Sequence, residues 1–118
     1  MKKIVLWLAL FIFFAVTSIL YAHPPSNIQI TFDQKTKTLQ AIVIHNVSNP
    51  LNHYIKKVDI GLNGKEVIEQ SILRQDNNDA QTVIYRIPYV KDGDVLSVEA
   101  YCSISGKLTK ELAVKIEE

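Results

Sequence analysis

From Asn27 onward the chain alternates apolar and polar residues with a period of two, in short runs broken by polar turns. Asn27–Asp33 places Ile28, Ile30 and Phe32 on one face and Gln29 and Thr31 on the other, the pattern of a half-buried strand. Thr38–His45 sets Leu39, Ala41 and Val43 against Ile42 and Ile44, which predicts a strand covered on both sides. His53–Leu62 and Lys65–Leu73 flank Asn63-Gly64, the strongest short hairpin signal, because both central positions of a type I′ turn need positive φ. Gln81–Ile87 carries Val83, Tyr85 and Ile87 on one side and is stopped by Pro88. Val95–Ser103 sets Leu96, Val98 and Ala100 against Val95, Ser97 and Glu99, and Leu108–Ile116 closes the series. Between these runs lie the polar stretches Asp33–Lys37, Gln75–Asp79 and Lys91–Asp94 and the Ser105-Gly106 turn. About seven short strands at fairly even spacing, with no convincing helix, predict an all-β, immunoglobulin-like antiparallel sandwich.

The opening of the chain breaks this pattern. Met1-Lys2-Lys3 is basic, and residues 4–22 are apolar apart from Thr17 and Ser18. That reads as an export signal with its basic end held in the cytoplasm, cleaved after Ala22. The apolar run is also near the length that spans a bilayer, so an uncleaved N-terminal anchor helix is the other reading. Both place residues 23–118 outside the cytoplasm, in the periplasm or beyond. Pro24 and Pro25 start that domain as extended chain.

Charge then excludes one class of partner. Lys and Arg number 13, of which Lys2 and Lys3 belong to the opening segment, leaving 11 against 12 Asp and Glu. A near-neutral domain has no electrostatic footprint for nucleic acid or for an anionic surface. Its single cysteine, Cys102, cannot form an internal disulfide. In an oxidising compartment a lone thiol is either buried as a small hydrophobe or bonded to something else.

The residues match no hydrolase signature and no glycine-rich phosphate loop. His23, His45, His53 and Cys102 are different in kind. Neutral imidazole is the commonest metal ligand, and a metal deprotonates a thiol outright. Three imidazoles and a thiolate can hold iron, copper or zinc. The spacing His45-x₇-His53 is neither a helical i, i+4 pair nor a zinc-finger pair, so the four converge only if the loop from Asn46 to Asn52 folds back. Otherwise they are unrelated polar residues of a small β domain.

Two stretches carry a resemblance. His53-Tyr54-Ile55-Lys56-Lys57-Val58-Asp59-Ile60 with Leu62-Asn63-Gly64-Lys65 resembles the His-Tyr-Ile…Asp-Gly-Lys segment of superoxide reductases, the neelaredoxin and desulfoferrodoxin iron-binding domains. Tyr101-Cys102-Ser103-Ile104-Ser105-Gly106 resembles their Tyr-Cys-Asn-x-His-Gly segment. The resemblance spans most of residues 23–116 and implies an immunoglobulin-like sandwich. It further implies mononuclear non-haem iron with His23, His45 and His53 as equatorial ligands and Cys102 as the axial thiolate. Three departures accompany it. The family's fourth histidine falls at Ser105, the His45–His53 loop is two residues longer, and Tyr21-Ala22 stands where the family carries Glu-Lys.

The resemblance implies one-electron reduction of superoxide to hydrogen peroxide, fed by an external electron donor. Two other readings stay open. Cleavage after Ala22 would make His23 the first residue, whose amine and ring nitrogen suit a copper carrier. A sandwich that has lost its metal would instead serve as an interaction domain.

Overall fold

The structure is a computed structural model and describes residues 23–116. The expected N-terminal helix lies outside the described residues. Within them the chain forms seven strands: β1 (Asn27–Asp33), β2 (Thr38–Ile44), β3 (Ile55–Leu62), β4 (Lys65–Ser71), β5 (Ala80–Arg86), β6 (Val95–Cys102) and β7 (Lys107–Ala113). All neighbouring pairs are antiparallel. They make a three-stranded sheet in the order β1-β2-β5 and a four-stranded sheet in the order β4-β3-β6-β7.

The period-two pattern explains why both sheets exist. Leu39, Ala41 and Val43 from β2 face the same core as Val58 and Ile60 from β3 and Leu96, Val98 and Ala100 from β6. All eight of these side chains are completely buried. Ile42 and Ile44, on the other face of β2, are only half-buried, so that strand is covered on one side rather than two. Each fully buried Leu, Ile or Val contributes about 1.5–3 kcal/mol relative to exposure.

The turns follow their sequence chemistry. Asn63 and Gly64 both take positive φ, at 51° and 82°, and close the β3–β4 hairpin. Asn63 also ties that turn to the β5–β6 loop: its Nδ2 donates to Asp94 Oδ1 at 3.0 Å, and Val95 N donates to its Oδ1 at 2.9 Å. Asp33 Oδ1 accepts from the amides of Lys35 and Thr36 and fixes the β1–β2 turn. These turns lie together at one end of the domain. Register places the start of β1, the end of β2 and the start of β5 at the opposite end, as Asn27 pairs with Ile44 and Ile44 with Ala80. The loops β2–β3, β4–β5 and β6–β7 share that second end.

Strand boundaries differ from the sequence expectation in one way that matters. β2 stops at Ile44 and β3 starts at Ile55, so His45 and His53 stand just outside the ladders, on loop backbone. A register shift between Ile55 and Lys57 loosens the β3–β6 pairing at the same place.

Candidate metal centre

The loop end gathers the three histidines. Ring centroids are 4.8 Å apart for His23 and His45, 4.9 Å for His23 and His53, and 4.8 Å for His45 and His53. Their ligand atoms all lie within 4.8 Å of one another, so the three could hold a metal ion. Three nitrogens bound to one ion at about 2.1 Å would stand roughly 3.0–3.6 Å from one another. Atoms near the 4.8 Å limit would therefore close by about an ångström or more on taking up an ion. Cys102 joins through one neighbour: its Sγ is 3.2 Å from His53 Nε2. A nitrogen and a sulfur bound at right angles to one ion would be about 3.1 Å apart. The thiol is thus at the edge of the trio, beside His53.

Each segment is held in place by a specific contact. Pro24 carries His23 into the cluster by packing on Gly106, where φ is +90°. A Cβ at Gly106 would come within 2.9 Å of Pro24 Cβ and 3.1 Å of its backbone, so glycine is needed for both reasons. His45 N donates to Asp79 O at 2.9 Å and Val47 N to Asn78 O at 2.8 Å, which extends the β2–β5 pairing past the strand ends. His53 N donates to Asn49 O at 3.1 Å and closes the loop containing Pro50. Tyr54 and Ser103 exchange two bonds, Ser103 N to Tyr54 O at 2.8 Å and Tyr54 N to Ser103 Oγ at 3.1 Å. That exchange sets His53 alongside Cys102.

Behind the cluster lies Gln75, a fully buried side chain that sequence reasoning left in a polar loop. Its Nε2 donates to two carbonyls, His45 O at 2.8 Å and Asn77 O at 2.9 Å. Its Oε1 must therefore be the acceptor, and Ile55 N donates to it at 3.2 Å. His45 Nδ1 is 2.8 Å from the same oxygen, so Nδ1 carries the proton. Fixing that tautomer leaves the His45 Nε2 lone pair free to ligate. The His23 carbonyl oxygen lies 3.3 Å from that nitrogen. In the neutral ring two acceptors meet there with no hydrogen between them, an arrangement that a cation relieves.

Electrostatics favour ligation at His53 as well. Burial first, and then the neighbouring His45 and His23, push its pKa below the ordinary histidine range. The ring therefore stays neutral, with a lone pair to offer, to lower pH than a free histidine. Ile104 N approaches Cys102 Sγ at 3.5 Å, a donor suited to a thiolate. Ser105 is exposed in the turn before Gly106.

A second group, Asp59, Glu66 and Glu69, also brings its ligand atoms within 4.8 Å. It lies on β3 and β4, and Lys57 Nζ is 3.5 Å from Asp59 Oδ2 and 3.6 Å from Glu69 Oε1. The charge of Asp59 raises the pKa of Glu66.

All four residues singled out from the sequence thus stand at one end of the domain, three of them in mutual reach. Gln75 and Gly106 were missed as parts of the site. A glutamine within Gln75-Asp76-Asn77-Asn78-Asp79 looks like any other loop amide, and nothing local marks it as buried. No known protein-family model matches this chain, and no curated protein matches it.

Proposed function

We propose that this chain is an exported, immunoglobulin-like sandwich domain that holds one iron ion through His23, His45, His53 and Cys102 and reduces superoxide to hydrogen peroxide. The observation that carries the reading is the three-imidazole cluster with a thiol 3.2 Å from His53, built on loops that Gln75 and Gly106 hold in position. The likeness of the His53–Lys65 and Tyr101–Gly106 stretches to superoxide reductases favours iron over other metals.

Iron held by these groups supplies one-electron exchange. The chain's residues do the rest. Three neutral imidazoles and one thiolate bring a single negative charge, so a divalent ion keeps a net positive charge that draws an anion. Cys102 raises electron density at the site, and the Ile104 N–H takes part of that density back. Gln75 holds His45 in the ligating tautomer. Superoxide takes up one electron and two protons to give hydrogen peroxide, and an external donor replaces the electron. The chain's one cysteine is committed to this site.

The test is a superoxide pulse applied to the full chain loaded anaerobically with ferrous iron. The expected result is consumption of superoxide with one hydrogen peroxide formed per superoxide and no dioxygen released. Release of dioxygen, or decay at the uncatalysed rate with iron bound, would contradict the proposal. Uptake of copper in place of iron would replace it with the copper-carrier reading.

A further inference from the structure

Among the described residues, five large apolar side chains are exposed: Leu51, Leu73, Ile84, Tyr89 and Ile104. Three of them lie on the loops at the histidine-bearing end, each two residues in sequence from His53, Gln75 or Cys102. Leu51 precedes His53, Leu73 precedes Gln75, and Ile104 follows Cys102. Their exposures, 62%, 87% and 52%, are those of side chains pointing into solvent. They belong to three different loops, so no one stretch of sequence accounts for their grouping. Pro24, next to His23, is exposed at the same end. The opposite end carries Tyr89 with the exposed Pro88 beside it and is otherwise closed by polar turns.

The same end is where the opening segment joins. His23 is both a member of the cluster and the third residue after Leu20 in the apolar run. Three residues of extended chain reach at most about 11 Å. Any bilayer that takes in residues 4–20 therefore holds the cluster within about that distance of its surface. Lys2 and Lys3 precede the run, and Trp7 and Tyr21 stand near its two ends, where interfacial aromatics are enriched.

We propose that the opening segment stays attached as a membrane anchor and that the histidine-bearing end of the domain seats on the lipid surface through Leu51, Leu73 and Ile104. Three isolated apolar side chains would bind a membrane weakly by themselves. The tether makes the contact intramolecular and raises the effective lipid concentration at this face. Arg74, exposed beside Leu73, supplies a cation for lipid phosphates in the same loop. The proposal does not rest on the iron reading, because the tether and the apolar rim are the same with or without metal.

The test uses the full chain in vesicles of phosphatidylethanolamine and phosphatidylglycerol, with its intact mass confirming that residues 1–22 are present. Leu73→Cys and Tyr89→Cys, both at exposed positions, are labelled in the folded protein with an environment-sensitive dye, and the unsubstituted chain serves as blank for the buried Cys102. The expected result is blue-shifted emission, quenched by lipid-borne quenchers, at position 73 and unshifted emission at 89. A chain recovered beginning at His23, equal emission at both positions, or a shift at 73 that lipid-borne quenchers leave untouched because a protein covers it would each overturn the proposal.

Discussion

Two groups in this domain each bring three metal-competent side chains within 4.8 Å, and they differ in what surrounds them. The acidic trio of Asp59, Glu66 and Glu69 already contains a cation, since Lys57 Nζ reaches two of its members. One lysine against three carboxylates answers its charge only in part: Glu66 holds its proton to higher pH, and Asp59 Oδ1 is buried with no hydrogen-bond partner. Among the described residues no lysine or arginine bonds to the rings of the histidine trio. Instead, a buried amide fixes one ring so that its lone pair faces a carbonyl oxygen. Proximity is therefore the weaker criterion. What separates the two groups is that a cationic side chain already sits between the carboxylates, whereas a fixed tautomer leaves a ring nitrogen of the imidazoles facing another acceptor.

The largest test of that difference is His45→Ala. It removes one of the three imidazoles and leaves the buried Gln75 oxygen with only the Ile55 amide as donor. We expect loss of stoichiometric metal binding and a stability loss of about 2–4 kcal/mol, read by metal analysis and by denaturant unfolding. Gln75→Leu keeps all three imidazoles but frees the His45 ring and strips partners from Ile55 N and the His45 and Asn77 carbonyls. Metal affinity is expected to fall by about 10–100-fold while the three imidazoles remain, measured by competition with a chelator. An unchanged affinity would mean that the tautomer is set by something else.

A third, smaller effect follows from pH. The folded pKa of His53 lies below its unfolded value near 6.5, so the unfolded chain binds more protons in between. This contribution to stability is complete above about pH 6.5 and is lost as pH falls through the lowered folded value. The thermal midpoint of the metal-free chain should fall over that window, and His53→Asn should flatten the fall. Metal affinity should decline at the same acid end, because protons compete for the imidazoles. The smallest effect is expected at the acidic trio. Asp59→Asn should leave transition-metal stoichiometry unchanged and alter stability by less than about 1 kcal/mol. Loss of bound metal in that variant would collapse the distinction between the two groups.

The sequence made the fold legible because its alternation is regular. Leu39, Ala41 and Val43, or Leu96, Val98 and Ala100, can only face one way in a strand, and Asn63-Gly64 marks its own turn. The histidines and Cys102 were legible as chemistry, since few side chains in this chain can ligate a soft or borderline metal. Their convergence was not, because it depends on which loops share an end of the domain. Gln75 was hidden for a related reason. Its role comes from accepting a hydrogen bond from His45 Nδ1, thirty residues earlier in the chain. Gly106 resembled an ordinary turn glycine until Pro24 was found packed against it.

The most direct measurement is visible absorption of the full chain after anaerobic loading with ferrous iron and one-electron oxidation, with iron counted per chain. The account predicts one iron and a thiolate-to-iron charge-transfer band that Cys102→Ser abolishes while the fold persists. A folded chain that takes up no iron, or binds it with no such band, would contradict the claim that three imidazoles and this thiol form one centre.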